Sequence, residues 1–333
     1  MRVRTKLAIL GIGCGALLAC AGLTLAQAQG ERCWSAEALA GRGGEKVIRR
    51  STYDPSIEPV GADVALAPVP ANRRGSIRGV RLPKSERLVA LTFDLCSNGN
   101  EISGYDGEIV DTLRRLGAKA TFFASGKWLL DHRERAVQLI ADPLFEVGSH
   151  SWTHRNFRLL PPADAAADLA LDLKADAAVR GILRAKACYR PTPGMEHTAL
   201  FRFPFGTCNA DTLNAVNDAG LLAIQWDVVS GDPVKAITAE AIRRGVVSHV
   251  KPGSIVVMHA NGRGVHTAEA LPLVIAGLRD RGFEFATVSE LLAKGEPVIA
   301  DSCYELKPGD NARYDKLFPL EPVHRAPRGG TAN

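Results

Sequence analysis

Two histidines stand four residues apart in "HSWTH", His150 and His154. On a helical turn that spacing puts both imidazoles on one face, where they can hold one divalent metal. The same pair also reads as a helix-capping histidine beside a surface one, and a third ligand has to come from another loop. Three more residues invite chemistry. Asp94 closes the apolar run "LVALTFD", His259 closes "SIVVMH", and Arg202 sits in "RFPFG", where Pro204 fixes the turn. A guanidinium beside a carboxylate orients it and keeps it ionised. A histidine given a carboxylate partner leans towards general-acid work. Taken singly, Arg202 could be a surface residue and His259 a structural one.

The elements that must position these residues alternate. From Leu88, strand-like runs ("LVALTFD", "KATFFA", "FEVGSH", "LFRFPFG", "LLAIQWD", "GSIVVMH", "FEFATV") are each followed by an amphipathic helical stretch. Such alternation predicts parallel strands with crossover helices, hence an α/β layered or barrel fold. In these folds the loops at the carboxyl ends of the strands build the site. Asp94, His150, Arg202, Asp227, Asp232 and His259 all fall at or just past such ends. Buried charge gains nothing unless it is paired, so this many polar strand ends point to a converging site.

In order and approximate spacing, "TFD", "HSWTH", "RFPFG", "WDVVSGD" and "VMH" resemble the polysaccharide deacetylases of carbohydrate esterase family 4, and "AKATFFASGKW" is similar to their second strand and helix. The resemblance covers about residues 86 to 295. It implies a distorted (β/α)7 barrel and a divalent metal, commonly zinc, with cobalt as an alternative. It also implies removal of N-acetyl groups, sometimes O-acetyl groups, from sugars such as peptidoglycan or chitooligosaccharides. Carried over, Asp94 would be the general base, His150 and His154 metal ligands, and Arg202 the partner of Asp94. The backbone N–H near Phe205 would serve an oxyanion hole, and His259 would be the general acid, tuned by Asp232. Trp226 would line the pocket or be a core aromatic. Amide hydrolysis fits this cast: it needs a water activated on a metal, a donor for the oxyanion, and an acid for the amine that leaves.

The chain departs from the family at Leu95, where a second aspartate would complete the metal set. Three repairs are open: Asp94 itself, the Cys96 thiolate, or a carboxylate from the following loop, Glu101 or Asp106. The loop and Asp94 are preferred over Cys96. Phe205 stands for a tyrosine and Pro233 for a tryptophan, which alters the wall near His259. Lys186 to Leu200 is a candidate specificity loop, and His197 and His266 are given no role. Two rival readings follow: a glycan-binding protein impaired in catalysis, and an O-acetyl esterase of the same fold.

Length and composition set outer limits. The 333 residues, 46% hydrophobic and 23% charged, suit a globular protein with a full core. Residues 1–28, with Arg2, Arg4 and Lys6 before a long apolar run and "AQA", read as a secretory signal. A lipoprotein anchored at Cys20 and an uncleaved membrane anchor are the alternatives. Cleavage takes the formal charge from +5 to +2, three positive charges lost and no negative ones. No basic run supports nucleic-acid binding, no protein partner is implied, and the expected partner is an N-acetylated glycan. The expected location is periplasmic or secreted. Residues 29–85 read as an extended arm, 86–295 as the catalytic domain and 296–333 as a tail. Export permits disulfides, and five cysteines remain. Connectivity does not follow from sequence: a clasp of Cys33 with Cys303 and a bridge of Cys96 with Cys208 between site loops are candidates, and at least one cysteine is free or pairs outside the chain.

Overall fold

The structure is a computed structural model, described for residues 33–51, 59–190 and 199–320. The expected signal segment, Cys20, His197 and the tail beyond residue 320 lie outside the described residues, as does most of the Lys186–Leu200 loop. Among the described residues no helix is long and apolar enough to cross a membrane.

Among the described residues twelve strands are formed in chain order: β1 Arg49–Arg50, β2 Ser76–Arg81, β3 Leu88–Leu95, β4 Glu101–Ile102, β5 Ala120–Ala124, β6 Phe145–Ser149, β7 Leu200–Phe201, β8 Leu222–Ile224, β9 Val228–Val229, β10 Ile255–His259, β11 Glu284–Phe285 and β12 Glu296–Ala300. The main sheet runs β12-β2-β8-β7-β6-β5-β3-β10-β9, with β11 pairing the start of β3. Every pair is parallel except β12 with β2. β8 and β9 are separated by three residues of chain, yet β8 pairs β7 and β9 pairs β10. Three residues span about 10 Å at most, so this short step curls the sheet round on itself. The result is the expected α/β architecture, a distorted barrel with helices outside.

β3 shows why the sequence adopts it. Its β-branched and aromatic residues suit a strand covered on both faces. Val89, Leu91, Phe93 and Leu95 enter the layer between sheet and helices with Ile109, Leu113 and Trp128. Ala90, Thr92 and Asp94 alternate with them and face the barrel interior. The helix Gly107–Leu116 that follows stops at Gly117, whose φ of 58° closes it in the left-handed region.

The domain limits read from sequence need correction at both ends. β2 lies inside the segment read as an arm and β12 inside the segment read as a tail, yet they pair with each other and extend the sheet. "SIRGVR" has no apolar periodicity to announce a strand. It is buried between β12 and β8 with Ile77 and Val80 in the core, and Arg78 finds acceptors far along the chain, the carbonyls of Tyr304 and Glu305 at 2.7 and 2.6 Å, and stacks on the Tyr304 ring.

The disulfides also differ from the candidate pairings. Cys33 pairs with Cys188 and Cys208 with Cys303, while Cys96 is a buried free thiol. Cys208 lies in the cluster of Phe157, Phe201 and Phe203 on the outside of the barrel, where Cys303 also packs. Cys96 continues the inward face of β3, so the candidate Cys96–Cys208 bridge has no geometry in which to form. The two bridges staple the terminal segments to the barrel.

Candidate active site

Asp94 and His259 are partners in the register of β3 with β10, at the carboxyl ends of both strands. Arg202, at the end of β7, reaches the same place from across the barrel. Its Nη1 donates to Asp94 Oδ1 at 2.9 Å and to Thr92 Oγ1 at 2.7 Å. The guanidinium is fully buried, over the Phe123 ring and near that of Trp226. Burial pushes the Asp94 carboxyl up, but the charges of Arg202, then His150 and His259, outweigh it and hold the group below the usual carboxylate range.

His259 carries its own carboxylate. Asp232 Oδ1 accepts from His259 Nδ1 at 2.9 Å, and Oδ2 accepts from the His259 backbone N–H at 2.7 Å. Ser230 Oγ and Thr267 Oγ1 also donate to Asp232, at 2.9 and 2.7 Å, so this wholly buried carboxylate is saturated. Gly264 allows the crowding, since a Cβ there would come within 2.6 Å of Asp232 Oδ2. Burial disfavours the charged imidazole of His259. Asp232 outweighs that and raises it above an ordinary histidine. With Nδ1 engaged, Nε2 is the atom left to exchange a proton.

The "HSWTH" segment is not helical, contrary to the expectation that a helical turn would align its histidines. It is a turn with Ser151 and His154 at φ 68° and 56°. Buried acceptors hold this backbone. Asp168 Oδ1 takes the Trp152 N–H at 2.7 Å, Ser151 Oγ takes the His154 N–H at 3.0 Å, and Asp172 is bonded to Ser149 Oγ. The imidazoles still meet, with ring centroids 4.9 Å apart. His150 Nδ1 lies 2.8 Å from the Arg202 carbonyl, which can only accept, so Nδ1 carries the proton. Nε2 is left with its lone pair, buried and without a partner among the described residues, 3.7 Å from Asp94 Oδ2. Burial disfavours the charged form of both imidazoles: it lowers His150 against the pull of Asp94, and it lowers His154 well below an ordinary histidine.

Cys96 is the third member of this group. Its Sγ and one nitrogen from each histidine all lie within 4.8 Å of one another. Asn261 Nδ2 donates to the sulfur at 3.1 Å and to the Cys96 carbonyl at 3.0 Å. Burial pushes the thiol up to about 12, against the pull of the Arg263 guanidinium. The loop carboxylates are elsewhere. Glu101 is tied to Arg263 and accepts from Ser103 Oγ at 3.1 Å. Asp106 precedes the helix Gly107–Leu116 with its carboxyl raised by burial, outside the cluster of sulfur and imidazoles. Leu95 is fully buried in the core layer and offers no donor.

Phe205 adopts φ 57° in a tight turn, and no acceptor among the described residues takes its N–H. Its ring is held between His154, at 4.4 Å, and Phe318, stacked at 4.1 Å with 12° between planes. Trp226 lies beneath the turn, where a Cβ on Gly206 would reach its ring at 2.7 Å. Phe318 belongs to the segment read as a tail. Cys303, the Arg158–Asp315 ion pair at 3.0 Å and Asn311 bring it to the site. Asp227 points away from the site, accepting from Ser254 Oγ and the Ile255 N–H at 3.0 and 2.9 Å. His266 sits on the surface beside Glu269.

Sequence reasoning missed Asp168, Asp172, Asn261, Arg263, Thr92 and the C-terminal aromatics. Asp168 and Asp172 left one usable signal, acidic residues four apart on the helix Pro162–Arg184 at positions that periodicity assigns to its covered face.

Known proteins are similar to this chain in sequence and in fold. The family model described as polysaccharide deacetylase matches residues 81–224. A chitooligosaccharide deacetylase of Sinorhizobium fredii is 30% identical over 207 residues, 59% of this chain and 87% of that protein. A peptidoglycan-N-acetylglucosamine deacetylase of Listeria monocytogenes is 30% identical over 243 residues, 70% of this chain. The chain spans about half, 46%, of the Listeria protein's length. Among solved structures, a carbohydrate esterase family 4 pseudoenzyme of Bacillus anthracis superposes with a TM-score of 0.53 at 24% identity, over 65% of this chain and 68% of that one; it bears on the fold alone. The chain belongs to the polysaccharide deacetylase family.

Proposed function

We propose that this chain is an exported, metal-dependent hydrolase that removes N-acetyl groups from a glycan containing N-acetylglucosamine. The observation that carries the reading is a matched base and acid in register on neighbouring strands. Asp94 is kept ionised by Arg202, His259 is kept protonatable by Asp232, and an imidazole pair lies beside them. The substrate class follows the two relatives, named for peptidoglycan N-acetylglucosamine and chitooligosaccharides. Two disulfides support export.

The residues fit a divalent metal. His150 presents a buried, unpartnered Nε2 towards His154, and its tautomer is set by a carbonyl on the other nitrogen, the usual outer-shell arrangement for a ligating histidine. Zinc, with cobalt as a substitute, suits imidazole donors. When bound, the ion would polarise the acetyl carbonyl and lower the pKa of water. The chain's own groups do the rest. Asp94 takes the proton of the attacking water. The Phe205 N–H donates to the carbonyl oxygen as it gains charge. His259 hands the proton on its Nε2 to the leaving amine, while Asp232 holds Nδ1–H and keeps the ring in position. Trp226 and Phe205 form the wall on which the acetyl group rests.

The test is acetate release from N-acetylglucosamine oligomers and from peptidoglycan fragments, before chelation, after it, and after zinc or cobalt is returned. Release that chelation abolishes and metal restores supports the reading. A folded, metal-loaded protein that releases none would overturn it. Leu95 favours a second reading, in which the barrel binds glycan without cleaving it. Oligomer binding that survives chelation, with no acetate formed, selects that one, whereas turnover of acetyl esters alone selects an O-acetyl esterase.

A further inference from the structure

We propose that Cys96 is itself a metal ligand. With His150 and His154 it forms a thiolate and two-imidazole set that selects a thiophilic divalent ion of the zinc or cobalt type. This deepens the reading above and rests on it only in that the site holds a metal.

Strand parity is the first reason. Side chains alternate along β3, so Leu95 turns into the helix-facing core while Asp94 and Cys96, two apart, share the inward face. Loss of a donor at 95 is therefore met by a donor at 96, on the side where the histidines lie. Proximity is the second reason. The sulfur and the two imidazole nitrogens form the one cluster of metal-ligating atoms within 4.8 Å of each other among the described residues. The orphaned His150 Nε2, fully buried, points to an occupant that brings its own positive charge. Third, the alternatives are engaged. Glu101 is tied to Arg263, and Asp94 gives Oδ1 to Arg202, which leaves only Oδ2 on the side of His150.

Cysteine usage is an independent sign. Every other described cysteine is in a disulfide, whereas Cys96 keeps its thiol although the chain carries an oxidative framework. Asn261, donating to both the sulfur and the Cys96 carbonyl, fixes the side chain as an outer-shell partner of a ligand does. Sulfur with two imidazoles favours zinc and cobalt(II) over magnesium, calcium and manganese, which prefer oxygen.

Cobalt(II) titrated into the metal-free full chain tests this directly. The expected result is a near-ultraviolet sulfur-to-cobalt charge-transfer band that saturates at one equivalent and is displaced by zinc. Cys96→Ser should abolish the band, and Asn261→Ala should weaken cobalt affinity about 10–100-fold. Cobalt bound at one equivalent without the band, or a band that persists in C96S, overturns the assignment. If C96S fails to fold, zinc-edge X-ray absorption of the unmutated chain decides: one sulfur with nitrogen neighbours supports it, and nitrogen and oxygen alone sink it. Acetate release is scored separately. A sulfur-ligated metal without turnover refutes the deacetylase reading and leaves Cys96 as ligand, and turnover with no metal–sulfur signature does the reverse.

Discussion

His259 and His154 sit at the same end of one barrel, yet their surroundings push them in opposite directions. His259 leans on Asp232 and is raised above an ordinary imidazole. His154 is lowered well below, first by burial and then by the charges of His150, Arg263 and His259. One half of the site keeps a histidine ready to give a proton, and the other keeps two histidines ready to share lone pairs. The division is made by partners, since the side chain is the same. It also marks where the chain departs from its family. Asp232 beside His259 is saturated with hydrogen bonds, whereas the imidazole pair has the Cys96 thiol beside it and Leu95, in the core layer, offers no donor.

Breaking either half should cost activity in distinguishable ways. Asp94→Asn removes the proposed base, and acetate release is expected to fall about 10²–10⁴-fold in steady-state assays. His259→Ala should fall by a similar factor on an N-acetyl substrate but much less on an activated acetyl ester, whose leaving group needs no proton. Equal losses on both substrates would mean that His259 is not the acid. Arg202→Met leaves the Asp94 carboxylate buried and unpaired, so denaturant unfolding should show a loss of about 3–5 kcal/mol.

A gentler change sharpens the contrast through pH. His259 must be protonated to act, and its raised pKa keeps the proton to higher pH, so the rate falls as pH rises through that value. Asp232→Asn removes the anion and leaves burial to win, which moves the alkaline fall of kcat to lower pH. A limb that does not move would separate Asp232 from the acid. The smallest effect is expected at Phe318→Ala. Removing one face of the Phe205 sandwich should lower stability by about 0.5–1.5 kcal/mol in thermal unfolding. It should also raise KM, because the Phe205 turn then loses a brace, whereas Asp168→Asn should instead weaken metal retention by loosening the "HSWTH" backbone.

Much of the site could be read in advance because strand ends announce themselves. Asp94, His150 and His259 each interrupt an apolar run at its carboxyl end, and parallel strands bring such ends together. Arg202 was legible for the same reason. The helical turn expected for His150 and His154 was not formed. Two residues at positive φ, held by a carboxylate 16 positions away at Asp168, decide that backbone, and spacing alone carries no trace of it. The strand β2, which lies inside the sheet between β12 and β8, was missed because "SIRGVR" places an arginine and a glycine where an apolar run would announce a strand.

The sequence by itself determined the alternation of strands and helices, the family and the polar residues at the strand ends, since each rests on local pattern and chain order. Which cysteines pair, which segment covers Phe205, and whether Cys96 faces the histidines were decided only by the tertiary structure. These are contacts between residues far apart in the chain. Cys208 and Cys303 are 95 positions apart, and their meeting depends on how the whole barrel closes.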